Sequence, residues 1–195
     1  NHTHHKRFQV EFDEMPQWLN AALNPGLTIE LWVRPTPGAD GDEQVILSKG
    51  SEYDLRLNIS RNVVFSTSGG QSSIISVSAL TFNEWHHIGI RRTEAGNVSL
   101  YINGELDASG TTASGASSES ALYIGGTPGG SYLSGDLDEI RLWNRYRSEE
   151  EFKMDVNNHR SYRRDGIVID PSLVALFDFD RGEGYFAVNK TGNNA

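Results

Sequence analysis

Residues 83–104 read NEWHHIGIRRTEAGNVSLYING, and this stretch decides the fold. Within it, residues 85–90 and 98–102 alternate apolar side chains with others, which predicts two strands that each bury one face. A glycine-containing break at residues 95–97 joins the two strands. Asn103 and Gly104 follow, and Asn-Gly is the strongest short signal for a hairpin because both central residues of a type I′ turn need a positive φ. The stretch therefore predicts an antiparallel sheet.

The same kind of short segment recurs along most of the chain, with Gly and Pro residues between segments. The segments that we predict as strands are 8–12, 27–34, 45–48, 53–59, 63–67, 74–78, 85–91, 98–102, 121–124, 137–143 and 173–179. Many short strands separated by turn residues are typical of an antiparallel sandwich. We therefore expect an all-β fold made of two packed sheets.

One short helix is expected near the C-terminal third of the chain. Ser148 and Glu151 have the spacing of a capping box, in which the serine side chain accepts from the N–H of Glu151 and the glutamate reaches back. The helix is expected to run towards Tyr162, with Phe152 and Val156 on one face.

Composition limits the classes of partner. The chain has 195 residues, a formal net charge of −9 and no cysteine. An acidic chain without a basic face is a poor match for nucleic acid. The lack of cysteine excludes disulfides and thiol chemistry. No apolar run approaches the roughly 20 residues that cross a bilayer. We therefore expect neither nucleic-acid binding nor membrane insertion.

The length suits one sizeable core. We interpret residues 1–7, which contain three histidines, as a disordered lead-in or tag remnant, and residues 8–195 as a single domain. No signal-peptide pattern is visible, so we expect a mature protein or an excised module.

Seven motifs occur in an order that matches a known family. They lie at residues 29–35, 46–50, 83–88, 100–104, 122–126, 135–145 and 148–150. Together they resemble a laminin-G-like domain of the concanavalin A-like lectin/glucanase family, which is related to pentraxins. The resemblance implies a jelly-roll sandwich with loops and a curved face free for ligands. It also implies a module that sits, with other domains, inside a larger extracellular protein.

The C-terminal segment 173–184 resembles a strand that usually opens such domains. It either closes this sandwich or begins a second module. We favour closure, because the preceding segment, residues 163–171, is short for a linker.

Several domains of this family hold calcium, so the resemblance implies two candidate ligands. Asp13 occupies the place of an early aspartate in the family pattern, and Asp138 matches the aspartate of its Asp-Glu-Ile strand. The paired aspartates that usually follow are replaced here by residues 15–18, which read MPQW. Because calcium takes about six to eight oxygen ligands, further acids or carbonyls would be needed.

A second candidate for calcium comes from the residues alone. Asp40, Asp42 and Glu43 lie in one glycine-containing loop and offer several carboxylate oxygens to a hard cation. The loop lacks the spacing of an EF-hand, and the alternative is an ordinary solvated acidic loop.

Aromatic side chains provide the candidate ligand-binding residues, because the C–H face of a sugar ring stacks on an exposed aromatic ring. We select Trp18, Tyr132 and Tyr53 for this role. The other tryptophans lie in strand patterns and are expected in the core: Trp32, Trp85 and Trp143. The adjacent His86 and His87 should point to opposite faces of a strand, one packed and one at the surface.

Catalysis is not expected. The family's glucanases carry two glutamates and an aspartate on one strand as Glu-x-Asp-x-x-Glu, and the nearest run here, residues 136–139, does not fit. Nucleophile-elbow, zinc-protease and phosphate-loop motifs are also missing. The sequence therefore predicts an extracellular, non-catalytic module that binds a glycan or a cell-surface protein, with calcium as cofactor. The alternative is a structural or protein-interaction spacer domain of an adhesin.

Overall fold

The computed structural model describes residues 8–10, 26–38, 42–113, 120–128, 130–157, 163–164, 167–168, 170–179 and 191. Its elements are β1 (Phe8–Val10), β2 (Gly26–Pro35), β3 (Gln44–Lys49), β4 (Tyr53–Leu57), β5 (Asn62–Thr67), β6 (Ser72–Ala79), β7 (His86–Thr93), β8 (Asn97–Ile102), β9 (Glu105–Thr111), β10 (Leu122–Ile124), β11 (Gly135–Trp143), α1 (Glu149–Asn157), β12 (Arg163–Arg164), β13 (Ile167–Val168) and β14 (Leu173–Phe177).

Two antiparallel sheets of six strands form the fold. The first sheet has the order β1-β10-β3-β4-β5-β6, and the second has the order β14-β11-β2-β7-β8-β9. Strands β12 and β13 pair only with each other. The prediction of an all-β jelly-roll sandwich with one short helix is confirmed, and each segment predicted as a strand contains one. Strands β9, β12 and β13 were not predicted.

The core lies between the sheets because alternate residues of each strand point inward. In β2 these are Leu27, Ile29, Leu31 and Val33, of which Leu31 and Val33 are completely buried. They belong to the same buried cluster as inward residues of the first sheet, such as Phe65. Full burial of one such side chain stabilises the fold by about 1.5–3 kcal/mol. The outward residues of the same strands are thereby left to form the functional surfaces.

The C-terminal strand closes the second sheet. Residues Leu173–Phe177 pair antiparallel with β11, and Phe177 lies opposite Ile140. The expectation that this segment closes the sandwich is confirmed for these residues.

The predicted Asn-Gly turn is also confirmed. Asn103 has φ 53° and Gly104 has φ 85°, as a type I′ turn requires. The turn leads from β8 into β9, the last strand of the second sheet. Asp107 of β9 accepts hydrogen bonds from the backbone N–H groups of Val77 (2.6 Å) and Ser78 (3.2 Å) in β6, the last strand of the first sheet.

Helix α1 lies against the outer face of the second sheet. Its capping box is formed as predicted: Glu151 N–H donates to Ser148 Oγ (3.2 Å), and Ser148 N–H donates to Glu151 Oε2 (2.8 Å). Phe152 is completely buried and covers Gly89 so closely that a Cβ there would lie 2.1 Å from the ring. The absence of a side chain at Gly89 therefore sets the position of the helix.

Next to this helix lies a buried ion pair. Glu30, an outward residue of β2, accepts from Arg147 Nη1 at 2.5 Å, and both side chains are essentially buried. The Arg147 guanidinium also lies 4.1 Å from the centre of the Trp143 ring. His87 Nε2 is 3.8 Å from the second oxygen of Glu30.

Candidate functional site

Three loops gather at one end of the sandwich, because the strands that carry them start or end there. Pro35, the last residue of β2, pairs with Gly135, the first of β11, and Val33 pairs with His86, the first of β7. We call this region the loop end; it consists of residues 36–38, 42–43, 80–85, 125–128 and 130–134, together with the adjoining ends of β2, β7 and β11.

Backbone hydrogen bonds hold the loops to each other. Thr36 N–H donates to the Ser134 carbonyl (2.7 Å), and Asn83 N–H donates to the Pro35 carbonyl (2.8 Å). Gln44 Oε1 accepts from the Ser134 N–H at 2.9 Å. Residues that are bonded in this way lose little further freedom when a ligand binds.

Tyr132 lies on the third of these loops, and its ring packs against Gly126 of the same loop. The residue pairs with Gly126 through the backbone and is 39% exposed. A Cβ at Gly126 would lie 2.5 Å from the Tyr132 ring, so the ring packs directly on the glycine. The structure thus leaves Tyr132 accessible, while its role in binding stays a prediction.

The acidic loop is part of the same end. Asp42 is exposed, and Glu43 accepts from Arg56 Nη1 at 3.0 Å. Because Gln44 directly follows Glu43 and binds Ser134, this loop is joined to the one that carries Tyr132. Asp40 lies outside the described residues.

The remaining candidate calcium ligands do not join this group in the described structure. Asp138 lies in β11 opposite Trp32, on the outer face of the second sheet, and its Oδ1 accepts from the Glu139 N–H at 2.8 Å. Asp13 and Trp18 lie outside the described residues. Among the residues that are described, no three His, Asp or Glu side chains converge, so these alone do not complete a calcium shell. Calcium stays a prediction.

Tyr53 is not a surface platform, and this prediction was wrong. The residue is 1% exposed and points inward, as do its strand neighbours Leu55 and Leu57. Burial raises the pKa of its hydroxyl far above the usual range. Tyr53 is the first residue of β4, and alternation along the strand points it into the core with Leu55 and Leu57, which explains why the prediction failed.

Trp85 was expected in the core and is instead 43% exposed. It directly precedes β7, so it lies in the loop and not in the strand. The Arg34 guanidinium lies 5.5 Å from the centre of its ring. Arg34 in turn donates from Nε (2.9 Å) and Nη2 (2.7 Å) to Asp136 Oδ2. Trp143 is fully buried, as predicted, and Trp32 is half-buried.

The two histidines that follow Trp85 are both buried, so the expectation of one at the surface was wrong. His86 Nε2 lies 3.1 Å from both the backbone nitrogen and the carbonyl oxygen of Thr81. The His87 ring lies between the rings of Trp32 (5.2 Å) and Phe152 (5.4 Å). Through its contacts with Thr81, His86 holds the loop that contains Trp85 in place.

Comparison with known proteins agrees with this architecture. A laminin-G model of the concanavalin A-like lectin/glucanases superfamily matches residues 13–153. The chain belongs to this superfamily. The mouse (Mus musculus) pentraxin-related protein PTX3 is 28% identical over an alignment of 143 residues that covers 63% of this chain and 36% of the mouse protein. The human protein of the same name is 26% identical with the same coverage. The chain therefore spans about a third of the length of these curated relatives.

Several solved structures share the fold. A candidate carbohydrate binding protein from Bacteroides ovatus superposes with a TM-score of 0.73 at 20% identity, covering 97% of this chain and 54% of that protein. A heptameric SAP-like pentraxin from Limulus polyphemus gives 0.56 at 17% identity, covering 80% and 81%. The binding domain of botulinum neurotoxin serotype D gives 0.58 at 15% identity, covering 77% and 40%. No helix in the described part of the chain is long and apolar enough to cross a membrane.

Proposed function

We propose that the chain is an extracellular, non-catalytic carbohydrate-binding module of a larger protein. The observation that carries this proposal is the loop end, where the exposed rings of Trp85 and Tyr132 lie on loops that are hydrogen-bonded to their neighbours. Membership of a lectin-like superfamily and the likeness to a candidate carbohydrate binding protein support the same conclusion.

The chemistry of the loop end suits a sugar. Aromatic rings offer flat apolar surfaces to the C–H faces of a pyranose, and carboxylates and amides around them accept or donate to its hydroxyls. Asp42 and Glu43 supply acceptors on the loop that Gln44 joins, through Ser134, to the loop of Tyr132. Because the hydrogen-bonded residues of these loops are already held in place, they add little ordering entropy to the cost of binding.

A hydrolytic role is not supported by the carboxylates of β11. Asp136 is bound to Arg34, Asp138 accepts from the Glu139 N–H, and Glu139 is bound to Arg141. A retaining glycosidase needs two carboxyl groups that flank one bond at about 5–5.5 Å, with one of them free to act as an acid. These side chains are engaged with neighbouring residues instead.

Calcium is part of the proposal as a structural or ligand-bridging ion. Asp40, Asp42 and Glu43 would contribute carboxylate oxygens, with backbone carbonyls and further acids completing the shell. Calcium dependence is measured directly by comparing binding in calcium with binding in EDTA.

The test is a glycan array probed with the full chain in calcium and in EDTA, using wild type, Tyr132→Ala and Tyr146→Ala. Tyr146 is the matched control, because it is 38% exposed, stacks on Arg91 at 4.3 Å and lies beyond the opposite end of β11. We expect a defined hit that Tyr132→Ala weakens and Tyr146→Ala retains, and loss in EDTA if calcium bridges the ligand.

No hit from folded protein in either buffer would overturn the proposal. The second candidate, a protein-interaction module, would then be favoured by the aliphatic side chains exposed on the first sheet, since Ile75 is 52% and Val77 is 81% exposed.

A further inference from the structure

Three side chains at the loop end form a unit that the sequence did not indicate. Trp85 is 43% exposed, and the Arg34 guanidinium lies 5.5 Å from the centre of its ring. Two nitrogens of that guanidinium donate to one oxygen of Asp136, at 2.9 and 2.7 Å. The side chains of Arg34 and Asp136 are 45% and 51% exposed, so all three are accessible to a ligand.

Strand pairing and hydrogen bonds hold the residues of this unit in place. Arg34 and Asp136 face each other in the register of β2 and β11. Asn83 adopts φ 65° and donates its N–H to the carbonyl of Pro35, which fixes the turn before Trp85. His86 fixes the same turn from the other side through Thr81. The backbone that carries Trp85 is therefore held in place before a ligand binds.

We infer that Trp85, Arg34 and Asp136 form a subsite for one neutral hexopyranose unit, an inference that rests on the proposed carbohydrate binding. A hexopyranose has an apolar C–H face bordered by hydroxyls that both donate and accept. The Trp85 ring matches that face on the side away from Arg34. The Arg34 N–H groups are donors and the Asp136 carboxylate is an acceptor at the border of the ring.

The charge of the unit selects the class of sugar. Asp136 offsets the positive charge of Arg34 and faces any incoming anion at the same place. A carboxylated or phosphorylated ligand would have to compete with Asp136 for the guanidinium, whereas the hydroxyls of a neutral sugar use both side chains at once. The subsite should therefore prefer a neutral sugar to the corresponding uronic acid.

The test uses saturation-transfer NMR with methyl glycosides of glucose, galactose, mannose and N-acetylglucosamine, and with methyl glucuronide. We expect at least one neutral glycoside to bind wild type and Tyr146→Ala equally, and to bind Trp85→Ala about tenfold more weakly. Asp136→Asn should move the preference towards methyl glucuronide relative to methyl glucoside, because the guanidinium is then no longer offset. A merely structural role for Asp136 would not produce that change.

The outcomes separate this inference from the function on which it rests. A glycan hit with wild type that Trp85→Ala retains unchanged would overturn the subsite and leave the carbohydrate-binding function standing. A preference that stays the same in Asp136→Asn would overturn the roles of Arg34 and Asp136. No glycan hit at all would overturn both proposals. Thermal unfolding of each variant verifies that it is folded; exposed positions such as these should change stability little.

Discussion

The outer face of the second sheet carries the same chemical unit twice, once at each end, in opposite surroundings. At the end of the sheet that α1 covers, Arg147 is paired with Glu30 and lies 4.1 Å from the centre of the Trp143 ring. At the loop end, Arg34 is paired with Asp136 and lies 5.5 Å from the centre of the Trp85 ring. The first pair has side-chain exposures of 2% and 0%, and the second has 45% and 51%.

Helix α1 accounts for the difference. The segment that leads into it, residues 144–148, and the buried Phe152 lie over the outward side chains at the start of β2 and leave those at its end accessible. A buried pair cannot lose one partner without leaving an uncompensated charge, so it constrains the fold. An exposed pair contributes little to stability and is therefore available for recognition. A similar arrangement thus constrains the fold at one end and, in our proposal, takes part in recognition at the other.

The largest effect expected from this comparison comes from removing one buried charge. Glu30→Gln keeps the shape of the side chain but leaves Arg147 without a buried carboxylate partner, and should lower the free energy of unfolding by about 3–5 kcal/mol. The matched exposed change, Asp136→Asn, should cost less than about 1 kcal/mol. Urea unfolding of both variants measures the difference.

Replacing the whole buried pair gives a control. Glu30→Leu combined with Arg147→Met removes both charges, and should recover much of the loss because the desolvation cost disappears with the pair. Equal costs for Glu30→Gln and Asp136→Asn would show that burial does not distinguish the two pairs.

An intermediate effect is expected where the helix touches the sheet. In Gly89→Ala the new Cβ would lie 2.1 Å from the Phe152 ring, so the helix or the ring must move. We expect a loss of about 1–3 kcal/mol, measured by urea unfolding.

Phe152→Leu in the Gly89→Ala background tests whether that contact is the cause. The two changes should cost less together than the sum of their separate effects, because the smaller side chain relieves the overlap. Simple additivity would place the cost of Gly89→Ala elsewhere in the structure.

The smallest effect concerns pH. Hydrogen bonds from the Arg145 side chain, and that from the Ser148 N–H, lower the pKa of Glu151 from 4.5 to about 2. A lowered pKa in the folded state means that the stability from this carboxylate is complete above about pH 4.5 and is lost as the pH falls towards 2. Glu151→Gln should flatten this part of the stability profile in acid-dependent urea unfolding. Glu94→Gln, at an exposed glutamate, is the control and should leave the profile as steep as in wild type.

Most of the fold could be predicted, because alternating apolar residues indicate the strands and Asn, Gly and Pro indicate the turns. Strand β9 could not be predicted from its own residues, because Glu105–Thr111 are mostly exposed and show no apolar period. What specifies β9 is the preceding Asn-Gly turn and its pairing with β8, which is a tertiary contact. The Asn-Gly signal was present, and the strand after it follows from that turn.

The site was harder to predict because exposure depends on where a strand begins. Tyr53 and Trp85 both lie at the start of a strand pattern, yet one is the first inward residue of β4 and the other lies one residue before β7. A shift of one residue exchanges core and surface. The exposed loop position of Tyr132 could be predicted, because its Gly- and Pro-rich surroundings indicate a loop whatever the register.

The carboxylate of Asp107 has a consequence for solubility. It accepts hydrogen bonds from the backbone N–H groups of Val77 and Ser78 on β6, an edge strand of the first sheet, next to exposed aliphatic side chains. Unprotected donors beside such side chains are a template on which the strand of another copy can add, and fibrils grow in this way. Because a charged group would have to be displaced first, Asp107 disfavours the addition of another strand at these two residues.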